Sequence, residues 1–270
     1  MALVGLALAL TGCATSPLPV ESPQQIQHVR ERLLADQSAR LQGLARWRAE
    51  GVIEVRTPRW SGRSRFAMLG EETRRARLSV YGPFQTVARE LVLTPGGMHW
   101  ADATRGEVLN APANAEGMAW LTGLPIAPEV LLGAALGMTS PGAGGGAPLT
   151  LQDAEGMRAG SPLEESWRVE PEAGRLLRRV GATPDGGRFE ALYAWPEGAS
   201  AGAGALTMPQ RLRVTLHEPV DSSRAVAEGG EGPQPSRWEM TFSRWEFPAS
   251  WGEDPFALPA GAVTPPGAER

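Results

Sequence analysis

Beyond its 30 carboxylates, few residues in this chain stand out as able to do covalent or acid–base chemistry: one cysteine, three histidines, and one serine framed by glycines. The string Gly198-Ala199-Ser200-Ala201-Gly202 has the spacing of a nucleophile elbow, where a serine on a sharp strand-to-helix turn attacks an acyl carbon. Here Pro196 precedes the string and a Gly/Ala run follows it, so the strand and helix are missing. No acid lies between Ser200 and His217, and no histidine follows His217, so a serine–acid–histidine order cannot be completed. His28, His99 and His217 are widely spaced with no close thiol or imidazole partner, which indicates no metal site. The segment Gly142 to Ala147, "GAGGGA", has the glycines of a dinucleotide loop but a helical segment before it and Pro148 after it, and reads as linker. These patterns point away from an enzyme and away from any metal or diffusible cofactor.

Cys13 is different. The apolar run Ala2 to Leu10 is too short to span a bilayer and has the length of a signal-peptide core. Leu10-Thr11-Gly12-Cys13 resembles a bacterial lipobox, in which the thiol becomes a diacylglyceryl thioether and the amine freed by cleavage takes an acyl chain. Two or three chains, at about 0.8 kcal/mol per buried methylene, anchor a protein stably where one is marginal. No Lys or Arg precedes the run, a departure from the usual signal pattern. The expected order is a signal peptide at 1–12, a lipidated terminus and tether at 13–22, one domain at 23–258 and a disordered tail at 259–270. The tether "ATSPLPVES", Ala14 to Ser22, reaches on the order of 25 Å at about 3.1 Å per residue. The lone cysteine excludes an internal disulfide.

The elements between these ends follow from pattern. Ser22, Pro23 and Gln25 read as a capped helix start, with Ile26, Val29, Leu33, Leu41 and Leu44 on one face. Strands are expected at Val52 to Arg56, Arg63 to Leu69, Arg75 to Tyr81, Thr86 to Leu93, in "GMHWAD" and in "GEVLN". Two short helices follow, Asn114 to Leu121 and Pro128 to Leu136, then a low-complexity linker, Gly137 to Pro148. Strands return at Ser166 to Glu170, Arg175 to Gly181, Arg188 to Trp195, Arg211 to His217 and Trp238 to Phe247, with insertions at Gly198 to Ala205 and Ala225 to Ser236. Thirty-three glycines and 24 prolines suit such a turn-rich chain. The fold class is α+β: a curled antiparallel sheet of about ten or eleven strands forming an incomplete barrel, with helices as a lid over an apolar cavity. Net charge is −4 and every basic residue is arginine, so there is no positive excess to bind nucleic acid.

Several segments, in order, resemble the LolB family of outer-membrane lipoprotein receptors: the lipobox, "WRAEGVIEV" (Trp47 to Val55), "WSGRSRF" (Trp60 to Phe66), "LSVYGPFQT" (Leu78 to Thr86), "LTGLPIAPEVLLGAALG" (Leu121 to Gly137) and "MPQRLRVTL" (Met208 to Leu216). The resemblance implies a monomer that takes acylated lipoproteins from a LolA-like periplasmic carrier into a lidded cavity and inserts them into the outer membrane. Ala14, in place of Asp, implies residence on the periplasmic face of that membrane. It also implies a protruding loop with an exposed leucine; Gly82-Pro83-Phe84-Gln85 matches it and puts Phe84 in that place. Trp47, Trp60, Phe66, Leu78, Val80 and Leu91 are the candidate cavity or mouth residues, and each is equally readable as barrel core. The Gly/Ala insertion, the acidic loop and the tail mark a divergent member. An alternative reading is a structural lipoprotein with a filled barrel that docks into an envelope assembly. Arg56, Arg59, Arg63, Arg65, Arg74, Arg75 and Arg77 form a locally basic region that suits anionic headgroups, an acidic carrier, or a solvated face balanced by Glu71 and Glu72.

Overall fold

Among the described residues, period-two alternation produces eleven strands: β1 (Trp47–Arg56), β2 (Ser61–Glu71), β3 (Arg75–Tyr81), β4 (Val87–Thr94), β5 (Gly97–Asp102), β6 (Glu107–Ala111), β7 (Ser166–Glu170), β8 (Arg175–Ala182), β9 (Arg188–Ala194), β10 (Arg211–His217) and β11 (Ser236–Glu246). Among the described residues three α-helices accompany them, α1 (Pro23–Gly43), α2 (Ala115–Thr122) and α3 (Pro128–Ala135). The computed structural model describes residues 23–139, 166–170, 173–197, 206–217 and 235–257. Cys13 with its leader and tether, the Ser22 cap, the glycine-rich linker from 140, the Ser200 string, the acidic insertion up to 234 and the tail from 259 lie outside the described residues.

All strands join one antiparallel sheet in the order β6-β5-β4-β3-β2-β1-β11-β10-β9-β8-β7. Two meanders meet where β1 pairs with β11, Ile53 opposite Met240 and Val55 opposite Trp238, and the edges β6 and β7 do not pair, so the barrel is incomplete. Inward positions are apolar: Ile53 and Val55 on β1, Leu78 and Val80 on β3, Val214 and Leu216 on β10 are buried. Outward positions carry ion pairs between neighbouring strands, Arg77–Glu90 at 2.7 Å and Arg213–Glu239 at 3.0 Å among them. Each such pair adds little stability, but a one-residue slip would drive these charges inward, so the alternation fixes the register.

The degree of curl can be read from one side chain. Trp60, in the β1–β2 turn, lies 6.3 Å from the Trp100 ring on β5 and 5.8 Å from the Trp238 ring on β11. In a flat sheet, β5 and β11 would stand about 24 Å apart at about 4.8 Å per strand spacing. The sheet has therefore rolled until one indole bridges them. At the other end Trp47 lies across β2, where a Cβ on Gly70 would stand 2.0 Å from its ring, and its indole N–H donates to Glu72 O at 2.9 Å.

Helix α1 corrects one expectation. Its buried stripe runs Val29, Leu33, Gln37 and Arg40, with Leu44 just past its end, while Leu41 is 46% exposed. Counting three and four from Leu33 reaches Gln37, Arg40 and Leu44, and misses Leu41. The two polar members have partners: Arg40 Nε donates to Asp36 Oδ2 at 2.7 Å, Arg40 Nη1 donates to Thr207 O at 2.5 Å, and its guanidinium lies 4.5 Å from the Trp195 ring. Beyond β11 the chain folds back so that Arg75 Nη2 donates to both oxygens of Asp254, at 2.8 and 3.0 Å, and Phe256 is buried beneath it.

Candidate functional site: a lidded apolar cavity and an exposed loop

Local signals place the lid. The Asn114 side chain accepts from Gly117 N at 2.8 Å and starts α2; Gly123, at φ 80°, ends it in the left-handed conformation that glycine adopts without strain. Pro125 prevents continuation, and Pro128 opens α3 at its first turn. Met118, Leu121, Leu124, Ile126, Leu132 and Leu136 are all buried and form the underside. The lid is tied down at three points. Thr57 Oγ1 donates to Thr122 O at 3.0 Å, Thr139 Oγ1 to Gln37 Oε1 at 2.8 Å, and Arg179 Nη1 to Val130 O and Met138 O, each at 3.4 Å. Arg179 is 1% exposed and points inward from β8, with its guanidinium 5.3 Å from the Phe189 ring.

Beneath the lid is an apolar cavity of about 50 Å³, bounded by Met118, Leu132 and Ala135 above and by Met68, Leu78, Leu91 and Met240 of the sheet below. Sites that enclose organic ligands measure about 300–1,000 Å³. The hollow is thus too small for an acyl chain, and its apolar walls give water no partners. To admit a chain, α2 and α3 must lift. Exposing six large apolar side chains costs roughly 10 kcal/mol, and burying a sixteen-carbon chain recovers about 12 kcal/mol at about 0.8 kcal/mol per methylene. The two quantities are of one size.

Leu78 and Leu91 stand opposite each other in register and line the cavity. The other four sequence candidates are buried in the same apolar cluster but outside the cavity wall. Trp47 lies against Trp245, Trp60 fills the rim, Phe66 packs edge-on against Phe242 at 5.7 Å, and Val80 is sealed at 1% exposure. Met68, Trp238 and Met240 were not among the candidates, though the inward alternation of β2 and β11 marks them; Met118, Leu132 and Ala135 carry the helical spacing of the lid.

Phe84 sits at the tip between β3 and β4 and is 96% exposed. Its backbone is left-handed, φ 62° and ψ 21°, and Gln85 follows at φ 60°. For residues with a Cβ this costs roughly 1–2 kcal/mol each. Two hydrogen bonds close the loop, Gly82 N to Thr86 O at 2.8 Å and Thr86 Oγ1 to Pro83 O at 3.0 Å.

Elsewhere, the buried His99 shares a 2.8 Å hydrogen bond between its Nδ1 and Asn110 Oδ1. Asp102 is held below the usual carboxylate range: burial opposes ionisation, but hydrogen bonds from Thr104 and the charge and hydrogen bond of Arg89 outweigh it. Glu239 behaves alike, its burial outweighed by Arg213 and Arg237 with Arg211 nearby. Among the described residues no group of three or more His, Cys, Asp or Glu could hold a metal ion, and no helix is long and apolar enough to cross a membrane.

No protein-family model matches this sequence, and no curated protein matches it. Among solved structures, the chain is similar to a DUF1329 family protein from Desulfovibrio piger, at 7% identity and TM-score 0.46, over 86% of this chain and 97% of that one. It is also similar to a LolA superfamily protein from Nitrosomonas europaea, at 7% identity and TM-score 0.40, over 78% and 93%. A third is LprF from Mycobacterium bovis, at 11% identity and TM-score 0.32, over 85% and 96%.

Proposed function

We propose that this chain is a lipid-anchored acyl-chain carrier of the bacterial envelope, which takes the acyl chains of lipoproteins beneath its α2–α3 lid and passes them to the outer membrane. The observation that carries this reading is the arrangement under the lid: wholly apolar walls, a roof of two short helices held by a few polar ties, and a rolled sheet that does not close. Cys13, acylated, would moor the carrier to the periplasmic face of the outer membrane, and Phe84 would touch the bilayer at release. A LolA-like carrier fits the donor's place, the protein acts as a monomer, and no step requires catalysis, metal or cofactor. Transfer runs downhill because each methylene leaves water for the cavity and then leaves the cavity for a bilayer that requires no lid to be lifted.

The experiment is titration of the full chain carrying Cys13→Ser with a fluorescent acyl probe. Saturable binding with one site per chain supports the reading, and its absence refutes it. One observation favours a second reading: at about 50 Å³ the cavity is nearly filled by the protein's own side chains, as in a structural lipoprotein that docks into an envelope assembly. That reading predicts no saturable binding at any chain length.

A further inference from the structure

We infer that the end of the sheet bearing Phe84 is a docking surface for the phosphate headgroups of an anionic bilayer, with Arg63 and Arg65 as its principal contacts. The strand directions place the β1–β2, β3–β4 and β5–β6 turns together at this one end. The seven arginines that stand out in the sequence divide in the structure. Arg56 pairs with Glu54, Arg74 with Glu72, Arg75 with Glu71 and Asp254, and Arg77 with Glu90. Arg59, Arg63 and Arg65 form no ion pair among the described residues, and all three lie towards the Phe84 end. Arg105, in the β5–β6 turn, joins them: it donates to Arg59 O at 3.2 Å and has no carboxylate partner among the described residues. Paired charges occupy the body of the sheet and part of this rim, where Arg56–Glu54 and Arg89–Asp102 lie, and Arg59, Arg63, Arg65 and Arg105 are left uncompensated beside them.

Arg63 and Arg65 are two residues apart on β2, so they project from the same outer face roughly 7 Å from each other. They line a groove of about 780 Å³ together with Pro83 and Gln85, the neighbours of Phe84. Arg48 and Glu50 in the same groove neutralise each other, which leaves the two β2 guanidinium groups to set its sign. An apolar ring fully in solvent beside cations fixed on a rigid strand is the pairing that an interface of acyl chains and phosphates satisfies at both levels. The exposed aromatic enters the hydrocarbon margin while the guanidinium groups remain at headgroup depth. The exposed apolar groups are confined to the loop tip, Pro83, Phe84 and Val87, and uncompensated arginines flank them, which a bilayer matches at both depths better than an acidic protein does.

This inference draws on the membrane side of the proposed function and is independent of the cargo cavity. Its test is sedimentation of the full chain carrying Cys13→Ser with phosphatidylcholine vesicles and with phosphatidylcholine–phosphatidylglycerol vesicles. The apolar run near the terminus contributes to both vesicle types, and the acids of 218–234 act on parent and variant alike, so the ratio of the two partition coefficients isolates the β2 arginines. Phosphatidylglycerol is expected to strengthen binding by the parent. Arg63→Gln with Arg65→Gln should reduce that enhancement by about 25-fold, near fivefold per arginine, and leave neutral-vesicle binding unchanged. Phe84→Ser should weaken both alike. An enhancement that survives the double substitution overturns the inference. So does the absence of any enhancement in the parent, which would return this surface to an acidic protein partner, or its abolition by inorganic phosphate, which would make the site one for the free ion. Acyl-probe titration of the same variants separates the two ideas: it should be unaffected, and its failure in the parent leaves the vesicle result standing.

Discussion

Leu132→Ala should make the protein less stable and a better acyl binder. Leu132 is buried on the underside of α3 and forms part of the cavity wall. Truncating a leucine at such a position costs about 3 kcal/mol in the closed form. In the loaded form the lid has lifted, and Leu132 at most touches the cargo, so the loss there is about 1.5 kcal/mol, half of a full burial. The difference, about 1.5 kcal/mol, favours the loaded state and corresponds to roughly tenfold tighter binding. Urea unfolding reads the first quantity and displacement of a fluorescent acyl probe reads the second. Opposite signs are the signature of a lid that must open. If binding weakens along with stability, the cavity is a preformed pocket that loses a contact, and the opening argument fails.

Phe84→Gly should raise stability by about 1 kcal/mol, because glycine relieves the left-handed backbone while the exposed ring contributes no packing; denaturant unfolding checks this, and transfer of acyl probe to vesicles should fall in the same variant. Glu239→Gln should lower stability at neutral pH by about 2 kcal/mol, by removing the negative charge that Arg213 and Arg237 share and replacing one carboxylate oxygen with an amide donor. Since the folded pKa of Glu239 lies below its unfolded value near 4.3, its contribution is complete above that pH and is lost as pH falls through the folded value. Urea unfolding from pH 5 downward should therefore show a shallower acid decline in the variant than in the parent. Cys13→Ser should abolish incorporation of labelled palmitate in cells; labelling that persists would remove the anchor from the account.

The strands were legible because alternation and punctuation agree. Arg75 to Tyr81, "GMHWAD", Ser166 to Glu170 and Arg211 to His217 become β3, β5, β7 and β10 with the bounds expected. β1 begins earlier than expected, at Trp47, because a bulge at Glu50/Gly51 keeps it paired with β11 across a break in local pattern. The stripe on α1 was not legible, since Gln37 and Arg40 are buried only by virtue of Thr139, Thr207 and Trp195, which are remote in sequence. The sheet wall of the cavity could be guessed at Leu78 and Leu91, but its position depends on how two short helices settle against eleven strands. Its size has no signature for the same reason: alternation shows which side chains point inward, and only packing shows how completely they fill the space. For the loop, Pro83 marks the turn, while the left-handed backbone that holds Phe84 in solvent has no signature in residue type.

Hydrogen exchange of the 115–138 backbone amides, with and without a saturating acyl probe, tests most directly whether this lid opens to admit a chain. Loading is expected to speed exchange across α2 and α3 while the paired centre of β1 and β11 stays protected. Binding that leaves those amides as slow as before, or slows them further, would contradict it.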